Sequence, residues 1–231
     1  MVGKKVNDMQ FHTTSGIFRL CDWIYRLAYL NILAFIFTII GGIIAGIFPA
    51  ITAMFAINKK WIDREDDFVV WKEYWGAYKQ YFIQSNIIGS FVLLSGIALY
   101  IDFSLVQNFS GFIYYVILSS SATVFILGIV VLLYVFGLLV SAKRKIYQQI
   151  KAAIQIGTLF PLQTFWMLMT IWSFLFVCLV IPGLSFLFLG SGLSFIAMYF
   201  TQLAFKRMKK YQIKEPIRIQ PIEERGVLHG K

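Results

Sequence analysis

Twenty-nine consecutive residues, Phe112 to Val140, carry no charged side chain. As a helix that run is ~43 Å long, more than the ~30 Å of a bilayer's hydrocarbon core. A helix meets every backbone hydrogen bond within itself, which a chain inside lipid requires. Further apolar runs follow the same logic at Trp23–Ile40, Pro49–Ile57, Ile87–Ile101, Phe160–Ile181 and Leu184–Phe205. Composition agrees: 59% of the 231 residues are hydrophobic, 14% are charged, and the mean hydropathy is +0.73. Soluble domains hold about 45–50% apolar and about 25% charged residues. The predicted fold is all-α, a polytopic helical membrane protein with about six membrane helices plus cytoplasmic amphipathic helices. Residues 1–22 form a cytoplasmic N-terminal segment, 23–205 a single membrane domain, and 206–231 a basic, flexible cytoplasmic tail.

The net charge of +10 comes from 21 Lys and Arg against 11 acids. The basic residues fall in four blocks: Lys4–Arg26, Lys59–Lys79, Lys143–Lys151 and Lys206–Lys231. The connections near Asp102–Gly111 and Ile181–Ser185 hold none. Under the positive-inside rule the blocks, and both termini, are cytoplasmic. Anionic lipid headgroups account for such a charge better than nucleic acid does. Asp102 is assigned to the external loop. The first 22 residues lack the apolar stretch of a cleavable signal, so the first apolar segment is expected to act as an uncleaved anchor.

If both flanks of Trp23–Ile57 are cytoplasmic, this segment crosses an even number of times. Its 35 residues make two short helices, as a hairpin or a re-entrant pair. Gly41, Gly42, Gly46 and Pro49 supply the break, with Pro49 near the start of the second helix. Asn31 reads as an interhelical hydrogen bond or a backbone cap, with a ligand contact as the alternative.

After the acidic turn Asp63–Asp67, the residues Phe68, Trp71, Tyr74, Trp75, Tyr78 and Phe82 share one face of a helix. This reads as an interfacial amphipathic helix over Phe68–Phe82; a sugar-stacking platform is the alternative. A polar break at Gln84-Ser85-Asn86 precedes the next span. Lys143–Ile156 repeats the amphipathic theme with Ile146, Ile150 and Ile154 on one face. Ser119–Thr123 suits close helix packing, or else lines a polar pathway.

No catalytic constellation is visible. His12 and His229 lie in the tails, and there is no HExxH, P-loop or GxSxG pattern. Cys21 and Cys178 make neither a disulfide framework nor a metal-ligand spacing. No enzymatic, cofactor-binding or metal-binding residues are expected.

The run Gly46–Ile62 (GIFPAITAMFAINKKWI), the aromatics of Trp71–Phe82 (WKEYWGAYKQYF) and Gln84–Gly89 (QSNIIG) resemble the YesL family. That is a family of small bacterial integral membrane proteins, and the likeness covers roughly residues 11–210. Its motif positions here are Gly46, Phe48, Pro49, Ala53, Lys59, Lys60 and Trp61, followed by Trp71, Tyr74, Trp75 and Tyr78. The resemblance implies a bacterial cytoplasmic-membrane address. It also implies a link to carbohydrate uptake, because genes of the family often lie near carbohydrate ABC importers and sensor systems. The expected role is that of a non-catalytic accessory to an ABC importer or sensor kinase. The alternative is a small facilitator for a neutral solute such as a sugar.

Overall fold

The structure, a computed structural model, describes residues 2–65, 67–107, 110–142 and 145–214, with side chains at Phe18 and from Cys21 to Met208. Seven helices make it up: α1 (Val2–Ile40), α2 (Ile44–Ile62), α3 (Val70–Val106), α4 (Phe112–Ser141), α5 (Ile146–Leu159), α6 (Pro161–Val180) and α7 (Pro182–Lys214). Among the described residues, five helical stretches are long and apolar enough to cross a membrane: Cys21–Ile40, Val70–Val106, Phe112–Ser141, Pro161–Val180 and Pro182–Met208. The fold is that of a polytopic helical membrane protein. Of the six expected spans α2 is the one missing, because Asn58, Lys59 and Lys60 make its last turns polar. It lies instead at the centre, in contact with α1, α3, α4 and α7. Ten of its 19 residues are buried.

The glycines set where α1 stops. Gly42 adopts φ +78°, the left-handed geometry that glycine takes without penalty. The Gly42 amide donates to the Ile39 carbonyl at 3.0 Å, and the Ile43 amide to Thr38 at 2.9 Å. Those two bonds are a Schellman cap with glycine at its pivot. The Ile44 amide then donates back to Gly42 at 2.8 Å, closing a γ-turn on Ile43, whose φ is 58° and ψ −72°. The break expected over Gly41–Pro49 is therefore confined to Gly41–Ile43. Pro49 sits in the second turn of α2, where the helix continues past it. Gly46 makes the close approach of α1 and α2 feasible: a Cβ there would lie 2.4 Å from the Thr38 carbonyl oxygen. At the other end of α2, Arg64 takes φ 63°, and the Glu65 and Arg64 amides donate to Lys60 and Trp61, a second Schellman cap.

Several expectations are corrected beyond α2. The N-terminal segment and the first span are one helix. The separate interfacial helix and the polar break after it do not exist: α3 is continuous over 37 residues. Ser85 and Asn86 stay helical because their side chains bond back into the helix, Ser85 to Tyr81 at 2.8 Å and Asn86 to Phe82 at 2.9 Å. Asp102 lies inside α3 rather than in a loop, and its carboxylate accepts a hydrogen bond from Ser121 of α4. On α5 the buried face is Gln149, Ala152, Ala153 and Ile156, while Ile154 points outward. The tail is helical as far as Lys214; the rest of it lies outside the described residues.

Two apolar clusters meet on α2. One joins Leu30, Leu33 and Phe37 of α1 to Ala50, Ala53, Met54, Ile57 and Trp61 of α2 and to Tyr74 and Tyr78 of α3. The other gathers α4, α5, α6 and α7 around Phe55 of α2 and Ile88 of α3. Single polar bonds stitch helices across these clusters. Asn31 donates to the Phe186 carbonyl at 2.8 Å, the interhelical bond its position suggests, and Asn58 donates to Ser194 Oγ at 2.8 Å. Gln163 donates to the Phe200 carbonyl at 2.6 Å. In hydrocarbon such bonds fix which helices pair and at what register.

Candidate functional site: the aromatic face of α3 and the helices it meets

On α3, Trp71, Tyr74, Trp75 and Tyr78 recur at three- and four-residue intervals and so share one face. That face looks at α1. The ring of Phe37 lies 5.0 Å from Trp71, 5.0 Å from Tyr74, 5.3 Å from Trp75 and 5.3 Å from Tyr78. The stripe is therefore an internal packing surface with Phe37 seated in it. Tyr74 is wholly buried and donates its hydroxyl to the Ala50 carbonyl at 2.8 Å. Trp71 and Trp75 flank the cluster half-exposed. A flat ligand would have to displace Phe37 to stack on the centre of this platform.

The remaining motif residues divide by task. Ala53 is fully buried where α1, α2 and α3 converge. Phe48 packs so closely on Gly89 of α3 that a Cβ at residue 89 would fall 2.1 Å from its ring. Trp61 is buried edge-on against Trp23, centroids 6.3 Å apart, with the Arg26 guanidinium 5.8 Å from its ring. Lys59 pairs with Asp63 at 3.7 Å and Lys60 with Glu73 at 2.7 Å. These two lysines border a pocket of about 260 Å³ that also takes in Gly76, Gln80 and Tyr81. The structure thus gathers the α2 and α3 motif positions into one α1–α2–α3 unit.

Sequence reasoning missed the structural roles of three residues of this region. Phe37 looks like any other apolar residue of a span. Gly89 ends the Gln84–Gly89 run, but nothing there signals its contact with Phe48. Asp102 has a signal: it is the sole Asp, Glu, Lys or Arg between Lys79 and Lys143. It lines a cleft of about 570 Å³ between α3 and α4, with Ser95, Gly96, Ser120, Ser121 and Gly128 among its walls. The outer parts of those two helices stand apart from the rest. No residue of Ser90–Leu105 or Phe112–Ile129 is buried.

The match to a known family model falls on the same unit. The family model described as "Protein of unknown function, DUF624" matches residues 27–103, which is the apolar part of α1, all of α2, and α3 as far as Phe103. Uncharacterized protein YteU of Bacillus subtilis (strain 168) is 33% identical over 180 residues, covering 78% of this chain and 81% of the relative. The chain belongs to this family. YesL of the same organism is 29% identical over 84% of this chain and 90% of its own length. YesV is 29% identical over 86% and 96% respectively. No solved structure matches the chain. The YesL resemblance read from Gly46–Ile62 and Trp71–Gly89 thus falls inside the DUF624 match.

Proposed function

We propose that this protein is a non-catalytic membrane accessory that docks a partner membrane protein along the outer α3–α4 arm. The observation that carries this reading is the arm itself, two apolar helices without a buried residue from Ser90 to Leu105 and from Phe112 to Ile129. Lipid alone covers apolar helices adequately, so exposure is not sufficient. The added feature is a wall of small residues, Ser95, Gly96, Ser120, Ser121 and Gly128, around an open cleft. Small residues let a further helix approach closely, the main source of helix affinity in lipid. A carbohydrate ABC importer or a sensor kinase is the proposed partner, and the support for that class is the family resemblance alone. A photo-crosslinking residue at Ser95 or Val124, in native membranes, tests the reading. A discrete crosslinked partner is expected. Adducts to lipid only at both positions would dispose of it.

A second reading, a facilitator for a neutral solute, is favoured by a row of buried polar residues on α7: Ser191, Ser194, Thr201 and Gln202. Among the described residues, Gln202 Oε1 in this row and Asn58 Oδ1 and Gln163 Oε1 are buried without a hydrogen-bond partner. Buried polar groups normally have one. Flux of labelled sugars into liposomes holding the purified protein decides this alternative, and a flat response across a sugar panel removes it.

A further inference from the structure

A groove of about 560 Å³ lies where the end of α1, Ile40 and Gly41, meets Trp75, Tyr78, Lys79 and Ile83 of α3. Three features of different chemistry meet in it. First, the Lys79 ammonium lies 4.9 Å from the Trp75 ring centroid. Among the described residues no carboxylate pairs with it, in contrast to Lys59 and Lys60. Second, the Tyr78 hydroxyl is buried and has no hydrogen-bond partner among the described residues. It stands where a side chain on Gly41 would be, 2.1 Å from the position of a Cβ. Third, the groove opens along apolar surface, with Ile40 and Ile83 both largely exposed.

The sequence around Lys79 gives its depth. Lys79 and Asp102 bracket 22 residues without a charge, Gln80 to Ile101. As helix these are ~33 Å long, close to one hydrocarbon thickness. Lys79 therefore stands at a headgroup layer, with Ile83 one turn into the acyl region. A free sugar phosphate would use the cation but leave the apolar half of the groove wet. A neutral sugar would stack on Trp75 and ignore Lys79. One molecule uses all three features: a glycerophospholipid with an anionic head.

We infer that this groove seats one anionic glycerophospholipid, its phosphate on Lys79, its glycerol oxygens beside Trp75 and Tyr78, and an acyl chain along Ile40 and Ile83. This site is separate from the α3–α4 arm, and crosslinking at Ser95 is unaffected by its loss.

The test uses full-length protein exchanged into mild detergent with equal amounts of phosphatidylglycerol and phosphatidylcholine of matched chains, followed by native mass spectrometry. Preferential retention of one phosphatidylglycerol is expected. Lys79→Gln lowers that preference about fivefold, the effect of about 1 kcal/mol for one basic residue at a lipid surface. Lys72→Gln, outside the groove, leaves it unchanged. Ile83→Asn lowers retention of both lipids. Equal retention of phosphatidylcholine by the unaltered chain overturns the inference, as does an unaltered preference in Lys79→Gln. Displacement of the lipid by soluble glycerol phosphate or by a sugar at comparable concentration overturns it too, because the groove then recognises a head without a chain.

Discussion

At the scale of single residues, the turn between α1 and α2 holds a strained position beside a relaxed one. Ile43 has a positive φ, and a β-branched residue there crowds its own backbone. Such positions cost about 1–3 kcal/mol. Ile43 is exposed, so little packing compensates for replacing it. Ile43→Gly is expected to raise stability by about 1 kcal/mol, read as a higher midpoint in thermal unfolding in detergent. Gly42→Ala moves the midpoint the other way by a similar amount, since alanine resists the left-handed geometry by about 1–2 kcal/mol. If both variants shift the midpoint in the same direction, the cap and γ-turn geometry is not what holds this corner. Tyr74 supplies a second case. Tyr74→Phe removes one buried hydrogen bond to the Ala50 carbonyl and keeps the ring, so a loss of about 1 kcal/mol is expected, with the fold intact.

At the scale of elements, α3 shows what hydropathy reads well and what it reads badly. That it holds a span was legible from the uncharged run Ile87–Ile101, though not the full 37-residue length of the helix. Its continuity was not. Gln84-Ser85-Asn86 looks like a break, yet Ser85 and Asn86 satisfy their own polar groups on carbonyls one turn earlier. The aromatic face was legible as a face, but its partner was not. Nothing in the apolar run around Phe37 distinguishes a ring destined for four aromatic neighbours from one facing lipid. The α1–α2 corner was legible because Gly41, Gly42 and Gly46 have backbone roles that few other residues fill. A lone acid in an apolar run is costly inside a membrane, which argues for a loop at Asp102; its Ser121 partner lies 19 residues away on another helix. One element-level prediction follows from Phe48 and Gly89. A side chain at residue 89 would push α3 away from α2, so Gly89→Val should cost about 1–3 kcal/mol by overpacking. A compensating Phe48→Ala in the same chain should recover part of that loss. Failure of the double variant to recover any would show that Gly89 serves some purpose other than admitting the Phe48 ring.

At the scale of the whole molecule, the ends of the helices sort the chain into two faces. Lys79 and the Lys143–Lys151 block flank the α3–α4 pair at its near ends, while the far end between Val106 and Phe112 carries no basic residue. The α3 and α4 helices run antiparallel, since Asp102 meets Ser121 close to the connection between them. Under the positive-inside rule the expectation is that the basic ends are cytoplasmic and the α3–α4 connection is outside. Cysteine labelling with a membrane-impermeant reagent reads this directly. Cys21 is exposed and Cys178 buried, so both are first replaced, Cys21→Ser and Cys178→Ala, to leave a silent background. Phe112 and Tyr147 are strongly exposed, at 82% and 73%. In intact cells Phe112→Cys is expected to label, and Tyr147→Cys to label only after the membrane is permeabilised. Restoring Cys21 alone tests the amino-terminal block separately: the Lys/Arg rule expects the Tyr147 pattern, whereas a crossing α1 whose end meets Lys79 expects labelling in intact cells. Labelling of Tyr147→Cys in intact cells, with Phe112→Cys protected, would invert the protein and show that something other than the Lys/Arg distribution orients it. Labelling of Cys21 but not Tyr147→Cys in intact cells would put the amino terminus outside and make the number of crossings between Cys21 and Lys79 odd, so that α1 and α2 no longer enter and leave by one face.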